Sequence, residues 1–417
     1  MPCSNAAAGY DRGMSEVGID GLKTVAEAIA VLDVVGVSPR TEQVGLLDAD
    51  GRVLAADIAA DRDYPPFDKS LMDGYALRAA DAMAPGTPLR CVGEVAAGAS
   101  LSRPLASGEC VAIMTGAPLP AGADAVVPIE RTTRSGDAVT LSAAIKIGSA
   151  VASRGVESKI GRVLLTRGVR LEPAQLAVCA QVGAAVVSVF ARPQVGILSS
   201  GDEVIPFDQQ PTGAQVRGSN SILLAALARR YGSEVIDLGH VRDDPAAIAE
   251  KLRTPDLDAL LVTGGMSMGA YDFTPRVLRD LGYDLAVTKL KVKPGKPFVF
   301  ATRDPDSPLT PFVFGLPGNP VSAFVCTVRL ASRVLLRLGG ASPEPTWATA
   351  TLADNLPANG PREFYLPATV TAGVANAPAW GGSADVFGLA SANALIVRAA
   401  NEAALPKGMS VAAILLP

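Results

Sequence analysis

Between Pro193 and Gly340 the chain alternates short apolar strands with helical runs, and this alternation restricts the possible folds more than any other feature. Strands are predicted at 195–199, 234–238, 259–263 and 312–314. The intervening helices are predicted to begin at Asn220, Asp244, Asp272 and Asn319 as N-caps, and to stop at Gly232 and Gly282. Strands that alternate with helices are typical of a mostly parallel sheet covered by helices. This part of the chain is therefore predicted to be an α/β domain.

The segments on either side of the α/β region have a different character. Thr24 and Glu27 form a capping box before a helix that reaches Val35, and a second helix is predicted at 172–182. Residues 85–147 carry short apolar runs broken by Gly and Pro, as in a small β-rich domain. Because helical segments flank it, the β-rich piece is interpreted as an insertion into an elongated helical module.

The tail after Ser342 has strand patterns at 395–398 and 411–415 between Pro and Gly residues, which indicates a small C-terminal β domain. The fold class is thus multidomain α/β and β. The predicted domains are an N-terminal helical and linker module at 1–60 and 150–192, an inserted β-rich domain at 61–149, a central α/β domain at 193–340 and a C-terminal β domain at 341–417.

Composition excludes several classes of protein. A chain of 417 residues with 49% hydrophobic residues has enough apolar material for several cores. Its net charge of −4 provides no global field for nucleic acid. No signal-peptide pattern and no run of 18 apolar residues is present, so a cytoplasmic protein without membrane contact is expected. The five cysteines (Cys3, Cys91, Cys110, Cys179, Cys326) are scattered and are predicted to be core thiols, and the single histidine, His240, excludes a multi-histidine metal site.

Acidic residues follow three of the predicted strands. Glu203 follows the first, Asp243 and Asp244 follow the second, and Asp272 follows the third. Loops at the carboxyl ends of parallel strands share one edge, so these carboxylates would repel one another unless a cation lies between them. Oxygen ligands without His or Cys indicate Mg²⁺. The structural alternative is that Asp244 and Asp272 only cap helices.

Glycines and lysines near the same edge could hold an anion. Gly264 and Gly265 directly follow a strand, where they allow a backbone nest for a phosphate or form a plain tight turn. Alternation places Lys289, Lys291 and Lys293 on one strand face, and Lys296 follows a Pro-Gly turn. Several cations on one face favour an oxyanion site, with a solvated edge strand as the alternative.

The segment Gly315-Leu-Pro-Gly-Asn-Pro320 joins the last strand of the α/β region to a helix. A rigid loop and a helix N-terminus would meet there, and such an end attracts anions. A structural interpretation, in which Asn319 and Pro320 only start the helix, is also satisfied. In the N-terminal half, Asp73 and Thr115 stand beside Gly and Pro turns, which by itself does not make them functional.

Several of these segments occur together, in order, from about Val25 to the C-terminus. They are Ser70-Leu-Met-Asp73-Gly-Tyr-Ala, Met114-Thr115-Gly-Ala-Pro, Ser200-Gly-Asp-Glu203, Thr263-Gly-Gly-Met-Ser-Met-Gly269, Lys293-Pro-Gly-Lys296-Pro and Gly315-Leu-Pro-Gly-Asn-Pro320. In combination they resemble the MoeA family, the molybdopterin molybdenumtransferases related to the gephyrin E domain.

The resemblance implies four subdomains in an elongated homodimer, with a cleft between the α/β domain of one subunit and the β-rich insertion of the other. It also implies a reaction. Adenylated molybdopterin binds, its phosphoanhydride is cleaved with Mg²⁺, and the dithiolene captures molybdate to give active molybdenum cofactor and AMP. Possible partners are the molybdopterin adenylyltransferase and the enzymes that accept the cofactor. The sequence does not distinguish molybdenum from tungsten.

Site roles follow from the same resemblance. The implied metal ligands are Glu203, Asp243 and Asp272, which together with Asp73 and Thr115 form the implied catalytic set. The implied substrate-binding residues are Gly264, Gly265, Ser267, Lys289, Lys293, Lys296, Pro317, Asn319, Pro320 and Ser391. Mg²⁺ would neutralise the pyrophosphate, while the lysines and the Pro-Gly-Asn-Pro loop hold molybdate near the dithiolene.

The sequence departs from the family pattern at two positions. Glu157 stands in Arg154-Gly-Val-Glu157 where the family often has Gly-x-Asp, and Pro367 stands where an arginine is expected. The acidic loops, lysines and Pro-Gly-Asn-Pro loop are intact, which favours an active enzyme. The alternatives are a molybdopterin adenylyltransferase, a non-catalytic gephyrin-like scaffold, and a molybdate or tungstate sensor. The long N-terminal half argues against the first, and the absence of a DNA-binding motif argues against the last.

Overall fold

A computed structural model describes residues 22–99, 101–254, 256–265, 273–303, 311–378 and 380–417. The chain forms two compact units: the first contains Met1–Glu42, Gly51–Ala55 and Val189–Pro417, and the second contains Gln43–Asp50 and Ala56–Ser188. Among the described residues, no helix combines the length and the apolar character that crossing a membrane requires. Asp272, Ser267 and Cys3 lie outside the described residues.

Helices are few and short. In the described parts of the chain the α-helices are α1 Val25–Val34, α2 Pro173–Gln181, α3 Asn220–Arg230, α4 Pro245–Leu252, α5 Thr274–Asp280, α6 Pro320–Cys326, α7 Ser332–Leu338 and α8 Val386–Leu389. A π-helical turn, Thr327–Ala331, joins α6 to α7.

Strands are more numerous. The described strands are β1 Thr41–Gly45, β2 Ile58–Ala59, β3 Lys69–Ser70, β4 Gly74–Leu77, β5 Pro88–Val95, β6 Glu109–Ile113, β7 Ala125–Pro128, β8 Thr132–Ser135, β9 Ala138–Leu141, β10 Val151–Ala152, β11 Val163–Leu165, β12 Val186–Phe190, β13 Gln194–Ser200, β14 Val204–Ile205, β15 Val216–Arg217, β16 Glu234–Val241, β17 Ala259–Thr263, β18 Asp284–Val287, β19 Val292–Lys293, β20 Val299–Thr302, β21 Phe312–Leu316, β22 Trp347–Leu352, β23 Glu363–Thr371, β24 Val374–Asn376, β25 Ala394–Arg398 and β26 Ser410–Leu415.

The main sheet of the first unit has the order β16-β13-β17-β21-β20-β18. Strands β16, β13, β17 and β21 run parallel, whereas β20 pairs antiparallel with β21 and β18 pairs antiparallel with β20. All four predicted strands are confirmed, three of them slightly longer than predicted. The parallel strands end at Ser200, Val241, Thr263 and Leu316, so the loops that follow these residues leave the same edge of the sheet.

Helices cover both faces of this sheet, which explains why β17 is buried throughout. Leu261 of β17 packs into a core with α1, α3, α6 and α7, whereas Leu260 and Val262 pack into a second core with α4 and α5. Successive side chains of a strand point to opposite faces, and this period of two divides the apolar run between the cores. Each fully buried Leu or Val contributes about 1.5–3 kcal/mol. The sheet therefore provides a rigid base for its carboxyl edge.

Helix α1 begins with the predicted capping box and packs against α7. The Thr24 backbone N–H donates to Glu27 Oε2 (2.7 Å) and the Glu27 N–H donates to Thr24 Oγ1 (3.2 Å), which confirms the box. At the other end, buried Arg333 of α7 donates to both oxygens of Asp33 (2.7 and 2.8 Å) and to Glu344 (2.7 Å). This charge cluster joins the two helices.

The C-terminal strands of the first unit form a closed barrel. The order around it is β23-β24-β22-β26-β25, and β25 pairs again with β23. Strand β19 adds to β23 in parallel, with Val292 opposite Glu363 and Lys293 opposite Phe364. The lysine segment is thereby held against the barrel.

The second unit contains a six-stranded sheet with the order β7-β4-β6-β5-β9-β8 and two small ladders, β10 with β3 and β11 with β2. Gly74 of β4 is required by close packing, because an added Cβ would lie 1.9 Å from the Val127 carbonyl oxygen. Among the described residues of this unit, α2 is the only α-helix. The division of the whole chain into four domains remains a prediction.

The structure differs from two local predictions. Asn220 does not act as the N-cap of α3: that position belongs to Ser219, and Asn220 is the first helical residue with its side chain in tertiary contacts. The hydrogen-bonded strand in the lysine segment covers only Val292–Lys293, because Pro294 lacks an N–H to continue a ladder. The predicted alternation still holds, since Leu290 and Val292 are buried while Lys289 and Lys291 are half-buried and Lys293 is exposed.

Candidate functional site

Acidic side chains meet where β13 and β16 end. The half-buried Asp243 follows β16, and its backbone N–H donates to Asp202 Oδ1 in the loop after β13 (3.4 Å). Burial raises the pKa of the Asp243 carboxyl, and the nearby carboxylates of Asp202 and Glu203 raise it further, which outweighs the opposing effects of the adjacent Ser200 hydroxyl and the Asp202 backbone N–H. Asp243 Oδ1 is buried and has no hydrogen-bond partner among the described residues. The charged form of Asp243 is therefore under-compensated in this arrangement.

Two buried hydroxyl groups share this feature. Ser200 Oγ and Thr274 Oγ1 also have no partner in the described parts of the chain. A Cβ built onto Gly265 would lie 3.4 Å from Thr274 Oγ1, 3.5 Å from Ser200 Oγ and 3.9 Å from Asp243 Oδ1. The absence of a side chain at Gly265 thus leaves a small space surrounded by three unpaired oxygens.

Gly264 has a different role from its neighbour. A Cβ at this position would lie 2.2 Å from the Ser200 carbonyl oxygen, and the backbone has φ +98°. Only glycine fits such a close approach between the ends of β13 and β17. The predicted Gly-Gly pair therefore allows two strand ends to approach and keeps the space at Gly265 open.

The donor set is suited to a hard cation. Carboxylate and hydroxyl oxygens are the ligands that Mg²⁺ prefers, and an unpaired buried carboxylate oxygen is what a cation would satisfy. No three His, Cys, Asp or Glu side chains form a ready metal centre among the residues that the structure describes. Glu203 and Asp243 contribute charge to the cluster, whereas the third residue of the predicted set, Asp272, lies outside the described residues.

Asp244, next to Asp243, has a structural role. Its Oδ1 accepts hydrogen bonds from the backbone N–H groups of Ala246 (2.7 Å) and Ala247 (3.3 Å) at the start of α4. This is the N-cap that the sequence predicted. Adjacent aspartates therefore differ in role, since one caps a helix and the other lies in the acidic cluster.

The loop after β21 is tied to the end of β17 by side chains. Asn220 Nδ2 donates to Gly318 O (2.7 Å) and to Thr263 Oγ1 (2.8 Å), and Thr263 Oγ1 donates to Pro317 O (3.4 Å). Asn319 is the N-cap of α6 without a side-chain capping bond, and its Nδ2 donates to Ser383 Oγ (2.9 Å). Pro317 is buried, whereas Gly318 and Asn319 are exposed.

Lysines lie near this loop in the fold. Val299 at the start of β20 pairs with Gly315 near the end of β21, which places the preceding Lys296 at the same edge as the loop. Lys293 Nζ lies 5.0 Å above the Phe364 ring centroid, a cation–π contact. Among the described residues, Lys289, Lys293 and Lys296 form no ion pair with a carboxylate. Their charge is available to an anion.

In the second unit, Asp73 and Thr115 are in direct contact. Asp73 directly precedes β4 and Thr115 follows β6, and the adjoining strand ends are paired, since Gly74 is opposite Ile113. Asp73 Oδ1 accepts from the Thr115 N–H (2.7 Å) and from its hydroxyl (2.8 Å), and these bonds lower the pKa of the Asp73 carboxyl. Both residues are exposed. The structure thus presents an ionised carboxylate on the surface of this unit.

Three family models match successive parts of the chain. The MoeA N-terminal region (domains I and II) matches residues 23–183, a probable molybdopterin binding domain matches 196–337, and the MoeA C-terminal region (domain IV) matches 349–416. A molybdopterin molybdenumtransferase from Nostoc sp. is 33% identical over 390 residues, covering 90% of this chain and 89% of the relative. This chain belongs to the MoeA family.

Other MoeA proteins are similar in sequence and in structure. The molybdopterin molybdenumtransferase of Synechococcus elongatus is 38% identical over 73% of this chain and 77% of its own length. A molybdopterin biosynthesis MoeA protein from Pyrococcus horikoshii has a TM-score of 0.80 with 29% identity, covering 94% of this chain and 99% of that structure. The predicted fold class and family are confirmed over most of the chain.

The structure gives the surroundings of three further positions that the resemblance singled out, namely Ser391, Pro367 and Glu157. Ser391 is exposed and its hydroxyl donates to Gly388 O (3.3 Å), whereas Ser383 contacts the loop after β21. Pro367 is buried within β23 opposite Leu395, and Glu157 forms an ion pair with Lys69 (2.9 Å). The role of Ser391 in substrate binding therefore stays a prediction.

Sequence reasoning missed four polar residues of this edge. Ser200 and Thr263 are the last residues of buried strands, Asn220 starts a helix, and Ser383 belongs to a Gly-Gly-Ser turn. The available signal was position: a hydroxyl that ends a fully apolar parallel strand lies at the ligand-binding edge. Asparagine before a helical run is also typical of an N-cap, so the sequence of Asn220 does not distinguish a cap from a residue with tertiary contacts.

Proposed function

We propose that this chain inserts molybdate into adenylated molybdopterin, with Mg²⁺-dependent release of AMP. Membership in the MoeA family gives the chain a role in molybdenum cofactor biosynthesis and the molybdopterin molybdenumtransferase activity after which its relatives are named. The structural observation that carries the finer proposal is the set of oxygens around Gly265 that lack a partner among the described residues, with the negative charges of Asp202 and Glu203 acting on Asp243.

Asp243 and Glu203 would hold Mg²⁺, with Asp272 as the third proposed ligand. When bound, the metal would supply positive charge to the pyrophosphate of the substrate. Without a cation, Asp243 faces two like charges in a partly desolvated position, so the chain itself favours a cation at this point. Gly264, Gly265 and Ser267 would allow the substrate to approach the backbone there.

The lysines and the loop after β21 would bind the anionic parts of the substrates. Lys296 and the loop containing Pro317, Asn319 and Pro320 share one edge, and Lys293 lies beside the barrel strand β23. Lys289 is the third lysine proposed to contribute positive charge. Each charge-assisted hydrogen bond to an oxyanion contributes about 1.5–3 kcal/mol. Their task is to hold molybdate in place, and this positioning is the main catalytic contribution of the chain.

The direct test is AMP release from adenylated molybdopterin by the purified protein, with Mg²⁺, with and without molybdate, while active cofactor is followed in the same samples. Molybdate-dependent AMP release together with cofactor formation supports the transferase. Consumption of ATP with formation of adenylated molybdopterin would instead indicate the adenylyltransferase. Tight substrate binding without release would indicate a scaffold.

Two adjacent aspartates offer a matched test of the acidic cluster. We expect Asp243→Asn to reduce Mg²⁺-dependent turnover at least a hundredfold, because it removes the charge next to the unpaired oxygens. Asp244→Asn should leave turnover within about twofold, since asparagine is an equally good N-cap. Glu203→Gln is expected to resemble Asp243→Asn. Wild-type turnover in Asp243→Asn, at saturating and at limiting Mg²⁺, would exclude this metal assignment.

Several predictions remain part of the proposal. The chain is proposed to act in the cytoplasm as a homodimer, in which Asp73 and Thr115 are presented to the substrate. The adenylyltransferase that supplies adenylated molybdopterin and the acceptor enzymes are its proposed partners. For Asp73 the supporting observation is the exposed ionised carboxylate that Thr115 holds in place.

A further inference from the structure

The loop between β21 and α6 turns two successive carbonyl groups inward. Thr263 Oγ1 donates to Pro317 O (3.4 Å) and Asn220 Nδ2 donates to Gly318 O (2.7 Å). The two donors contact each other as well, since Asn220 Nδ2 also donates to Thr263 Oγ1 (2.8 Å). Both carbonyls therefore point toward the same buried point at the end of β17.

Peptide geometry decides where the attached N–H groups point. In a trans peptide unit the C=O and N–H bonds are antiparallel, and neither peptide bond of this loop is among the cis bonds of the structure. The unit that carries Pro317 O also carries the Gly318 N–H, and the unit that carries Gly318 O carries the Asn319 N–H. Both N–H groups thus point away from the buried end of β17, on residues that are exposed.

In the described part of the chain these two N–H groups differ from the Val321 and Ala323 N–H groups that follow them, which have partners. Pro320 has no N–H, the Val321 N–H donates to Ser383 O (3.0 Å), and the Ala323 N–H donates to Asn319 O (3.0 Å). Among the described residues, neither the Gly318 nor the Asn319 N–H has a partner. Two successive N–H groups on the same exposed side of a loop can both donate to one anion.

The side chain of Asn220 is buried although its oxygen forms no hydrogen bond in the described part of the chain. Asn220 is 9% exposed. A buried amide with half of its bonding capacity unused destabilises the fold, and such groups concentrate at functional sites. The nitrogen atom, by contrast, makes two short bonds that both fix the loop.

We propose that Asn220 and Thr263 are positioning residues: they hold the two carbonyl groups inward so that the Gly318 and Asn319 N–H groups receive the oxyanion substrate. The inference rests on the proposed function only in taking molybdate as that oxyanion. It assigns to Asn220 a role in molybdate binding and none in the cleavage of the phosphoanhydride.

The sharpest test uses the pair Thr263→Val and Thr263→Ser. Valine has nearly the same shape without the hydroxyl, whereas serine keeps it. We expect Thr263→Val to raise the KM for molybdate and its calorimetric Kd about tenfold, because a tenfold change corresponds to the loss of about one hydrogen bond. The kcat and the KM for adenylated molybdopterin should stay within about twofold. Thr263→Ser should restore molybdate binding to nearly the wild-type value.

Asn220→Ala provides the second variant, with a larger expected loss of molybdate affinity because both bonds of the nitrogen disappear. Asn359→Ala is its matched control. Asn359 also holds a loop through its amide, by donating to Arg362 O (2.9 Å) and Ala399 O (2.7 Å), but it does so in the C-terminal barrel. It should lower thermal stability without changing the Kd for molybdate.

The possible outcomes separate this inference from the proposed function. Folded Thr263→Val and Asn220→Ala proteins with wild-type molybdate Kd and KM overturn the inference, even if turnover proves the transferase. Molybdate binding that is present in the wild type and weakened in both variants supports it, even if turnover is absent. A wild-type protein that neither binds molybdate nor requires it for turnover overturns it as well.

Discussion

At the scale of single residues, charge that is only partly compensated distinguishes the site from the rest of the chain. Asp243 has an oxygen without a partner among the residues that the structure describes and two acidic neighbours, whereas Asp73 receives two hydrogen bonds from Thr115. The first carboxylate is destabilised in its charged form and the second is stabilised. An under-compensated carboxylate requires a ligand for stability, and this requirement can be measured without a turnover assay.

We predict that Asp243→Asn raises the melting temperature of the metal-free protein at neutral pH. The folded-state pKa of Asp243 is raised, so its contribution to stability is present at low pH and is lost as pH rises through that pKa. The increase in melting temperature caused by Asp243→Asn should therefore vanish at acidic pH. Mg²⁺ should stabilise the wild type more than the variant. Equal melting temperatures across pH and Mg²⁺ concentration would show that the repulsion is negligible.

The contribution of Glu109 in the second unit to folding stability is expected to have the opposite pH dependence. Hydrogen bonds from Arg103, the Ala106 N–H and Arg90 lower the pKa of Glu109 to about 2. Its stabilising contribution is present above the ordinary carboxyl pKa near 4.5 and is lost as pH falls through about 2. Glu109→Gln should therefore flatten the acid limb of a circular-dichroism stability profile. An unchanged acid limb, with Glu130→Gln as the exposed control, would contradict this.

At the scale of elements, the contact between α1 and α7 depends on one buried guanidinium. Arg333 is bound by Asp33, whose side chain is 34% exposed, and by Glu344, which is 63% exposed. Removal of the less exposed partner leaves a buried charge under-compensated, and we expect Asp33→Ala to cost about 3 kcal/mol in urea unfolding. Glu344→Ala should cost about 1 kcal/mol or less. A reversed order would mean that Glu344 is the main partner.

Elements were predictable from the sequence where local signals were sufficient. The four parallel strands and the box of Thr24 and Glu27 rely on apolar runs and on partners three residues apart, and they are confirmed. Buried Cys91, Cys110, Cys179 and Cys326 are free thiols, as predicted.

Side-chain partners were not predictable where they come from distant segments. Asp244 and Asn220 both begin helices, but only Asp244 caps its own helix, because Asn220 faces Thr263 and Gly318 in the folded sheet. The contact of Ser383 with Asn319 similarly joins segments 64 residues apart. The sheet edge that carries the site was therefore predictable, whereas the hydrogen bonds that join Asn220 and Thr263 to the loop after β21 were not.

At the scale of the whole molecule, the proposed homodimer gives a simple expectation. Light scattering over a concentration series should return twice the chain mass of 42.6 kDa. If the partner presents Asp73 to the substrate, mixing Asp73→Asn with Asp243→Asn protein should restore part of the activity, because mixed dimers would contain one intact set of residues. A monomeric mass at all concentrations, or no recovery after subunit exchange, would contradict the dimer.

The two sheets of the first unit differ in whether they have a free border. The C-terminal barrel closes on itself through β23 and β25, while the α/β sheet has two edge strands, β16 and β18. Strand β16 exposes Glu234, Asp237 and His240 along its border, and charged residues on an edge discourage pairing with another chain. Replacing both carboxylates by amides, with Glu234→Gln and Asp237→Asn, should therefore accelerate unwanted intermolecular strand addition at β16 during long storage at high concentration, while the closed barrel should be spared.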